Sequence, residues 1–257
     1  MIPGVFDYHR PSSLDEAIRL LAQFGDDGRV IAGGHSLIPM MKLRLAQPAH
    51  LIDLGGIGGL SGVCEDGAEL VVGALTTQHE LLASPLVRER CPLLHETALL
   101  IADPQVRYRG TVGGNVANGD PGNDMPAVMQ CLDATYVARG PNGERRLPAR
   151  EFYEAAYFTK LAADEIIAAI RIPCPPAGHG WAYEKQKRKV GDYATAAAAV
   201  VLTLAGGRCA HAALALTNLG QTPILVATAL VGAAVDDAAI TAACVAASLS
   251  AASAACV

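Results

Sequence analysis

Ala32-Gly33-Gly34-His35-Ser36 and Thr111-Val112-Gly113-Gly114-Asn115 are the two stretches on which the fold of this chain turns. Each carries a glycine pair, which lets a main chain approach a ligand closely or take φ > 0. Each can therefore lay bare backbone N–H groups with no Cβ in the way. One such loop reads as a tight turn. Two of them, each ending in a small hydrogen-bonding side chain (Ser36, Asn115), suggest a two-sided clamp on one extended anion. A dinucleotide pyrophosphate is the natural candidate, and Ser36 also heads a helical segment whose first amides form an anion site.

Outward from the first loop, Arg29–Ala32 reads as a short buried strand that runs straight into the glycines. Ahead of it, Ser13 and Glu16 are spaced as a capping box for a helix with Leu14, Ala17, Ile18 and Leu21 on one face, and Gly25 stands where a C-cap belongs. Ser36–Leu45 is a second amphipathic segment and His50–Leu54 another strand, so residues 1–55 form a βαβ-like unit. Around the second loop, residues 56–175 form a further unit. It has a strand at Glu69–Val72, a helix capped by Thr76-Thr77, mostly helix over Pro85–Leu100, and a helix over Met125–Leu132. A hairpin is expected around Pro141-Asn142-Gly143 and a strand at Glu165–Ile172, while Ile101–Asp124 reads as irregular. Loops of that length inside a compact domain are usually functional. The proline cluster Pro173-Cys174-Pro175-Pro176 marks a linker. Beyond it, residues 176–257 suggest an antiparallel sheet and an alanine-rich terminal helix.

Composition narrows the class. The chain has 257 residues, 51% hydrophobic and 18% charged, with a net charge of −5. That is a compact globular protein with little affinity for nucleic acid or an anionic surface. No apolar run stands out as a membrane span and no signal-peptide core opens the chain, so a cytoplasmic location is expected. Seven scattered cysteines, Cys64 to Cys256, lack any Cys-x-x-Cys spacing. They read as small buried hydrophobes rather than disulfides, zinc ligands or iron–sulfur ligands. The histidines show no metal spacing, and neither a Rossmann fingerprint, a P-loop nor a nucleophile elbow is present. No catalytic side chain and no metal ligand is expected.

Several polar residues keep two readings. His35 is a phosphate contact or a structural loop histidine. Asp124 is a helix N-cap or a group that orients the ligand. The run Lys185, Lys187, Arg188, Lys189 is a solvated strand edge or a face toward a cofactor. Tyr193 is a packed tyrosine or a cover for a planar ring.

The segments Ala32–Lys42 (Ala-Gly-Gly-His-Ser-Leu-Ile-Pro-Met-Met-Lys), Thr111–Asn115 and Asp120–Ala127 (Asp-Pro-Gly-Asn-Asp-Met-Pro-Ala) resemble the flavin-binding subunits of molybdenum hydroxylases. Ile101–Arg107, Tyr183–Lys189 and Gly191–Val200 narrow the resemblance to the medium subunits of aerobic carbon monoxide dehydrogenases. The similarity runs from Met1 to about Asn218. It implies an α+β fold, with two N-terminal α/β FAD-binding subdomains of the PCMH or vanillyl-alcohol-oxidase type and a C-terminal antiparallel sheet with helices. By the same resemblance the cofactor contacts are Ala32, Gly33, Gly34, His35, Ser36 and Leu37 in the first loop. Gly110, Thr111, Gly113, Gly114 and Asn115 would supply those of the second. Ile101 and Ala102 would lie near the isoalloxazine, Asp120 and Asp124 would fix the cofactor, and Tyr193 would lie over the ring.

The resemblance further implies a large partner subunit with the molybdenum cofactor, a small partner with two [2Fe–2S] clusters, and assembly as a dimer of heterotrimers. The electron acceptor would be a quinone, at the inner face of the cytoplasmic membrane. The segment after Thr222-Pro223 departs from the family, which implies a truncated or divergent C-terminal domain. Two other functions compete: a flavin subunit acting with a purine, aldehyde or aromatic heterocycle hydroxylase, and an assembly subunit that binds no flavin.

Overall fold

In the computed structural model, which describes residues 2–226 and 230–255, the first helix is Leu14–Phe24. The Ser13 side chain accepts from the Glu16 amide at its start, and Gly25 ends it with φ 53°. Glu16 reaches one residue further back than expected, taking the amide and hydroxyl of Ser12 at 2.8 and 3.0 Å. Ala17, Ile18 and Leu21 form its buried face, packed with Ile52 and Leu54. The sheet beneath is parallel, with Asp7–His9, His50–Asp53 and Gly28–Ile31 in that spatial order. Parallel neighbours need a crossover, and helix Leu37–Lys42 lies in the one from Gly28–Ile31 to His50–Asp53. The first glycine loop is the entry to that crossover.

The second unit stands on five antiparallel strands, ordered Val63–Asp66, Glu69–Gly73, Ile166–Pro173, Thr135–Gly140, Gly143–Pro148. The expected hairpin is there, with Gly143 at φ 102°. Pro85–Leu100 is divided into helices Pro85–Arg90 and Pro92–Leu100. Pro92 has no amide to continue the first helix, and suits the opening position of the second. The stretch expected to be irregular holds two short helices, Pro104–Arg107 and Val112–Ala117. The second glycine loop is thus a helix start.

The C-terminal sheet is a four-stranded antiparallel meander: Gly180–Gln186, Ala196–Ala205, Arg208–Thr217 and Ile224–Val226. Alanine favours helix in isolation, yet Ala196–Ala205 is a strand. Its alternate residues Ala197, Ala199 and Val201 are buried, and their small size lets helix Asp124–Cys131 lie close. The Cys131 thiol donates to the Ala213 carbonyl at 3.2 Å, and burial pushes its pKa up to about 12. One apolar core runs from Leu70 and Val72 through Met125, Val128 and Met129 to Ala199, Ala213 and Ala215. It crosses the proline cluster at 173–176 without interruption. Cys256 lies outside the described residues.

Helix Asp237–Ala255 corrects one expectation. Its Asp237–Ala254 window is long and apolar enough to cross a membrane by composition, with mean hydropathy 1.4 and 11% of the window buried. Alanines supply much of that hydropathy, interspersed with one threonine and three serines, so no run of large apolar residues announces it. Ala243 of this helix shares a small core with Cys209 and Leu230.

Candidate cofactor site

A cavity of about 870 Å³ opens between the parallel sheet and the second unit and reaches the edge of the C-terminal sheet. That volume is in the range of small-molecule and cofactor pockets. Every residue expected to touch a cofactor lines it except Asp120. The two glycine loops are pressed together at its floor. A Cβ on Gly33 would stand 2.2 Å from the Arg109 carbonyl oxygen and 2.9 Å from the Gly110 Cα. Only glycine permits that approach.

The first loop follows strand Gly28–Ile31, and Gly34 takes φ +78°. Ile38 donates to the Gly34 carbonyl at 2.9 Å, the first bond of the new helix. The amides just ahead of it belong to the turn that a helix leaves without internal acceptors. Ser36 makes no side-chain cap bond, so its hydroxyl stays available at the cavity. His35 is exposed and its ring has no hydrogen-bond partner among the described residues.

The second loop departs from the expected picture of bare amides. Val112 donates to the Thr76 carbonyl at 2.8 Å and Gly113 to the Ala74 carbonyl at 2.9 Å. The Gly114 amide is taken by the Thr111 hydroxyl at 3.1 Å. This loop is sewn to the turn at 74–78, where the Gln78 amide donates to the Gly110 carbonyl at 2.9 Å. A Cβ on Gly113 would meet the Ala74 Cβ at 2.5 Å. A Cβ on Gly114 would meet only the Thr111 hydroxyl, at 2.8 Å, and otherwise project into open space. Asn115 adds a buried Oδ1 with no partner among the described residues.

Ile101 and Ala102 form the cavity wall between these loops and the C-terminal sheet. Ala102 has φ +44°, a left-handed conformation that strains a residue with a Cβ. Arg107 holds that turn, its Nη1 donating to the Ile101 carbonyl at 2.8 Å and the Ala102 carbonyl at 3.4 Å. In sequence Arg107 enters only within the Ile101–Arg107 resemblance, which does not assign it this work.

Asp124 is the first residue of helix Asp124–Cys131, and Asn123 precedes it at the cap position. Its carboxylate accepts from the Tyr183 hydroxyl at 2.5 Å and the Lys185 ammonium at 2.8 Å. Lys185 also donates to the Leu100 carbonyl at 3.2 Å. The Lys185 and Asp124 side chains are 1% and 6% exposed. Burial pushes the Asp124 carboxyl above the usual carboxylate range, against the opposing pull of Lys185 and Tyr183. Breaking one side of such a buried pair costs about 3–5 kcal/mol. Of the basic run, Lys185 is therefore no solvated edge. It staples the C-terminal sheet to the second unit at the cavity wall. Sequence alone could not find it, because its partner lies 61 residues upstream.

Asp120 is set back from the lining. Its Oδ1 accepts from the Gly122 amide at 2.9 Å, the local bond by which aspartate makes a tight turn. That turn puts Gly122 beneath Tyr193, where a Cβ would come within 3.3 Å of the tyrosine Cδ1. Tyr193 is 57% exposed at the cavity mouth. Asn123 also lines the cavity, as do Gln78 and Tyr157, which were not singled out from sequence.

Comparison with known proteins places the chain in a flavoprotein family. Residues 4–175 match the family model of the FAD binding domain in molybdopterin dehydrogenase, and residues 181–254 match the CO dehydrogenase flavoprotein C-terminal domain. The carbon monoxide dehydrogenase medium chain of Afipia carboxidovorans is 59% identical over 238 residues, 90% of this chain and 83% of that one. The corresponding chain of Hydrogenophaga pseudoflava is 52% identical over 224 residues, 87% of this chain and 78% of that one. A crystal structure of the Cu,Mo-CO dehydrogenase in its cyanide-inactivated form holds a chain of the same fold. That chain has a TM-score of 0.95 and 57% identity, over 97% of this chain and 88% of its own.

The cavity fits the dinucleotide this family holds. It has a left-handed glycine in the first loop, a serine hydroxyl that makes no cap bond, and open space above Gly114.

Proposed function

This chain belongs to the FAD-binding family of molybdopterin dehydrogenases, and we propose that it serves as the FAD-carrying medium subunit of a molybdenum-containing carbon monoxide dehydrogenase. The observation that carries the reading is the meeting of the two glycine loops, Ile101-Ala102 and Tyr193 around one cavity. In this role the first loop and Ser36 would hold the pyrophosphate, with Asn115 and the open face of Gly114 opposite. Ile101 and Ala102 would border the ring and Tyr193 would cover it. Domain limits of 1–55, 56–175 and 176–257 are part of the same proposal, as are fifteen of the sixteen residues assigned from sequence as cofactor contacts; Asp120, set back from the lining, instead shapes the turn beneath Tyr193.

Bound FAD supplies electron relay between the one-electron [2Fe–2S] clusters of a small partner subunit and a quinone-type two-electron acceptor. The clusters would be fed from the molybdenum cofactor of a large subunit, in a dimer of heterotrimers working on the cytoplasmic side of the membrane. The side chains described here bind, orient and exclude water, and none of them needs to move a proton. Arg107 keeps the Ile101-Ala102 turn in its strained form, and the Lys185–Asp124 pair keeps the C-terminal sheet against the cavity.

The test is a purified complex supplied with carbon monoxide. Its flavin content and the bleaching of the flavin absorption band are expected to match one FAD per copy of this chain. A complex that reduces its clusters fully while carrying no flavin would overturn the proposal.

A further inference from the structure

A second concavity shares no lining residue with the cofactor cavity. It is a groove of about 700 Å³ between helix Pro92–Leu100 and the chain that runs from the proline cluster to Trp181, within the size range of small-molecule sites. The helix contributes Pro92, His95 and Leu99, which fall on one face at spacings of three and four. Trp181, the one tryptophan of the chain, is 44% exposed and lies tilted against the His179 ring, with centroids 5.3 Å apart. His179 is fixed in turn by its Nδ1, which donates to the Pro176 carbonyl at 2.9 Å. Leu99 is 52% exposed. An indole and a leucine left half bare in one concavity differ from the single apolar residues scattered over an ordinary surface.

The charges of the groove select against an anion. Arg88 and Arg90 are offset by Glu89 and Glu96, and Arg90 is already paired with Glu65 at 2.7 Å. No net positive charge remains for a pyrophosphate such as that of a nicotinamide dinucleotide. A neutral planar molecule suits the lining, its ring against Trp181 and Leu99 and its oxygen acceptors toward the N–H groups of Arg88 and His95. Position supplies the rest. Side chains alternate along a strand, so Trp181, Tyr183 and Lys185 share the face of Gly180–Gln186 that packs on helix Pro92–Leu100. Lys185 lines the cofactor cavity and donates to the Leu100 carbonyl at 3.2 Å. Groove and cavity thus stand at the two ends of four strand residues, about 13 Å along the chain.

We propose that this groove binds a quinone, the electron acceptor of the complex, beside the end of the cavity assigned to the ring. The proposal rests on the FAD reading above and gives the acceptor a place on this chain. The quinone takes up two electrons and two protons and becomes the quinol. The electrons leave reduced FAD, which returns to its oxidised form. The two protons released there to water balance the two that the quinone takes from water at the open groove. Arg88 and His95 hold the quinone oxygens, and no side chain of the groove exchanges a proton.

The experiment uses the full chain loaded with FAD, so that the cofactor cavity is filled, titrated with a short-chain ubiquinone while the fluorescence of Trp181 is followed. Saturable quenching is expected. Leu99→Glu, which sets a carboxylate among the apolar contacts, should weaken binding about tenfold, and His95→Ala, which removes one donor, about fivefold. Flavin content should stay unchanged in both. Quenching that rises linearly without saturating, as from random collisions, would overturn the proposal. So would wild-type affinity in the two variants, and His95→Ala decides the matter alone if Leu99→Glu does not fold. NAD⁺ at millimolar concentration should not displace the quinone, and its competition would refute the reading of the charges. In the whole complex, Leu99→Glu should raise KM for the quinone and leave reduction of an artificial dye unchanged; an equal loss of both activities would overturn the assignment. Failure of the FAD reading is distinct, because the wild-type chain would then take up no flavin whatever its tryptophan reports.

Discussion

The two glycine pairs, alike in sequence, differ in what the second member of each does. The leading glycines, Gly33 and Gly113, are both sites of crowding, with backbone or Cβ atoms where a side chain would stand. Gly34, by contrast, takes φ +78°, whereas Gly114 lies in a helix with open space around it. The first loop keeps backbone groups uncommitted; the second has committed the amides of residues 112–114 to the turn at 74–78 and the Thr111 hydroxyl. A glycine pair thus marks close approach, and only its surroundings tell whether the neighbour is ligand or protein.

Gly113→Val should break the second loop most severely. Its side chain would collide with Ala74 across a backbone bond, an overpacked site of the kind that costs about 1–3 kcal/mol or more. Denaturant melts of the flavin-free chain would register this loss, and an unchanged midpoint would refute the crowding account. Gly34→Ala should cost about 1–2 kcal/mol through its left-handed φ, since the Ile38 side chain it would touch can move aside. Here the sharper reading is flavin retention, which should fall together with stability.

Gly114→Val inverts that pattern. Apart from disturbing the Thr111 cap, worth about 1 kcal/mol, it should leave the flavin-free fold intact and abolish flavin retention. Full occupancy in that variant would remove the ligand from the explanation of the second loop and favour a flavin-less assembly subunit.

The smallest effect belongs to a control that touches neither loop. Glu165 lines the cavity, and its carboxylate accepts from Arg145 at 2.5 and 2.7 Å, which holds its pKa below the ordinary glutamate range. A depressed carboxyl contributes stability that is present above the unfolded value, about pH 4.3, and lost as pH falls through the folded one. Arg145 is half exposed, so the screened contribution is about 0.5–1 kcal/mol. Glu165→Gln should flatten the acid side of the stability profile by that amount and spare flavin binding. A steeper acid limb in the variant would reverse the sign and refute the account.

Much of this was legible from local signals. The caps at Ser13 and Thr77, the hairpin at Pro141-Asn142-Gly143 and the linker prolines each act within a few residues, and sequence displays them directly. Edge strands such as Val63–Asp66 escaped because three of their four residues are exposed and no alternation is visible. Ala196–Ala205 falls in the antiparallel sheet expected beyond the prolines; its alanines pull toward helix, and the helix that covers it decides for strand. At the cavity, the loops and Tyr193 were readable as residue types, while the use made of their amides was not. Lys185 was hidden among three exposed or half-buried basic neighbours, since burial of a lysine depends on a carboxylate brought from a distant helix. Gln78 was hidden differently, as an apparently ordinary residue following a helix cap.

The apolar core that continues from Leu70 to Ala215 makes the proline cluster at 173–176 a joint in the chain but not in its energy. Elements that share one close-packed interior melt together, so the second unit and the C-terminal meander form a single cooperative block. Ligand free energy gained at the cavity is then distributed over that whole block by mass action. The outer strands of the meander, which touch no cofactor, gain protection against opening each time the cavity fills.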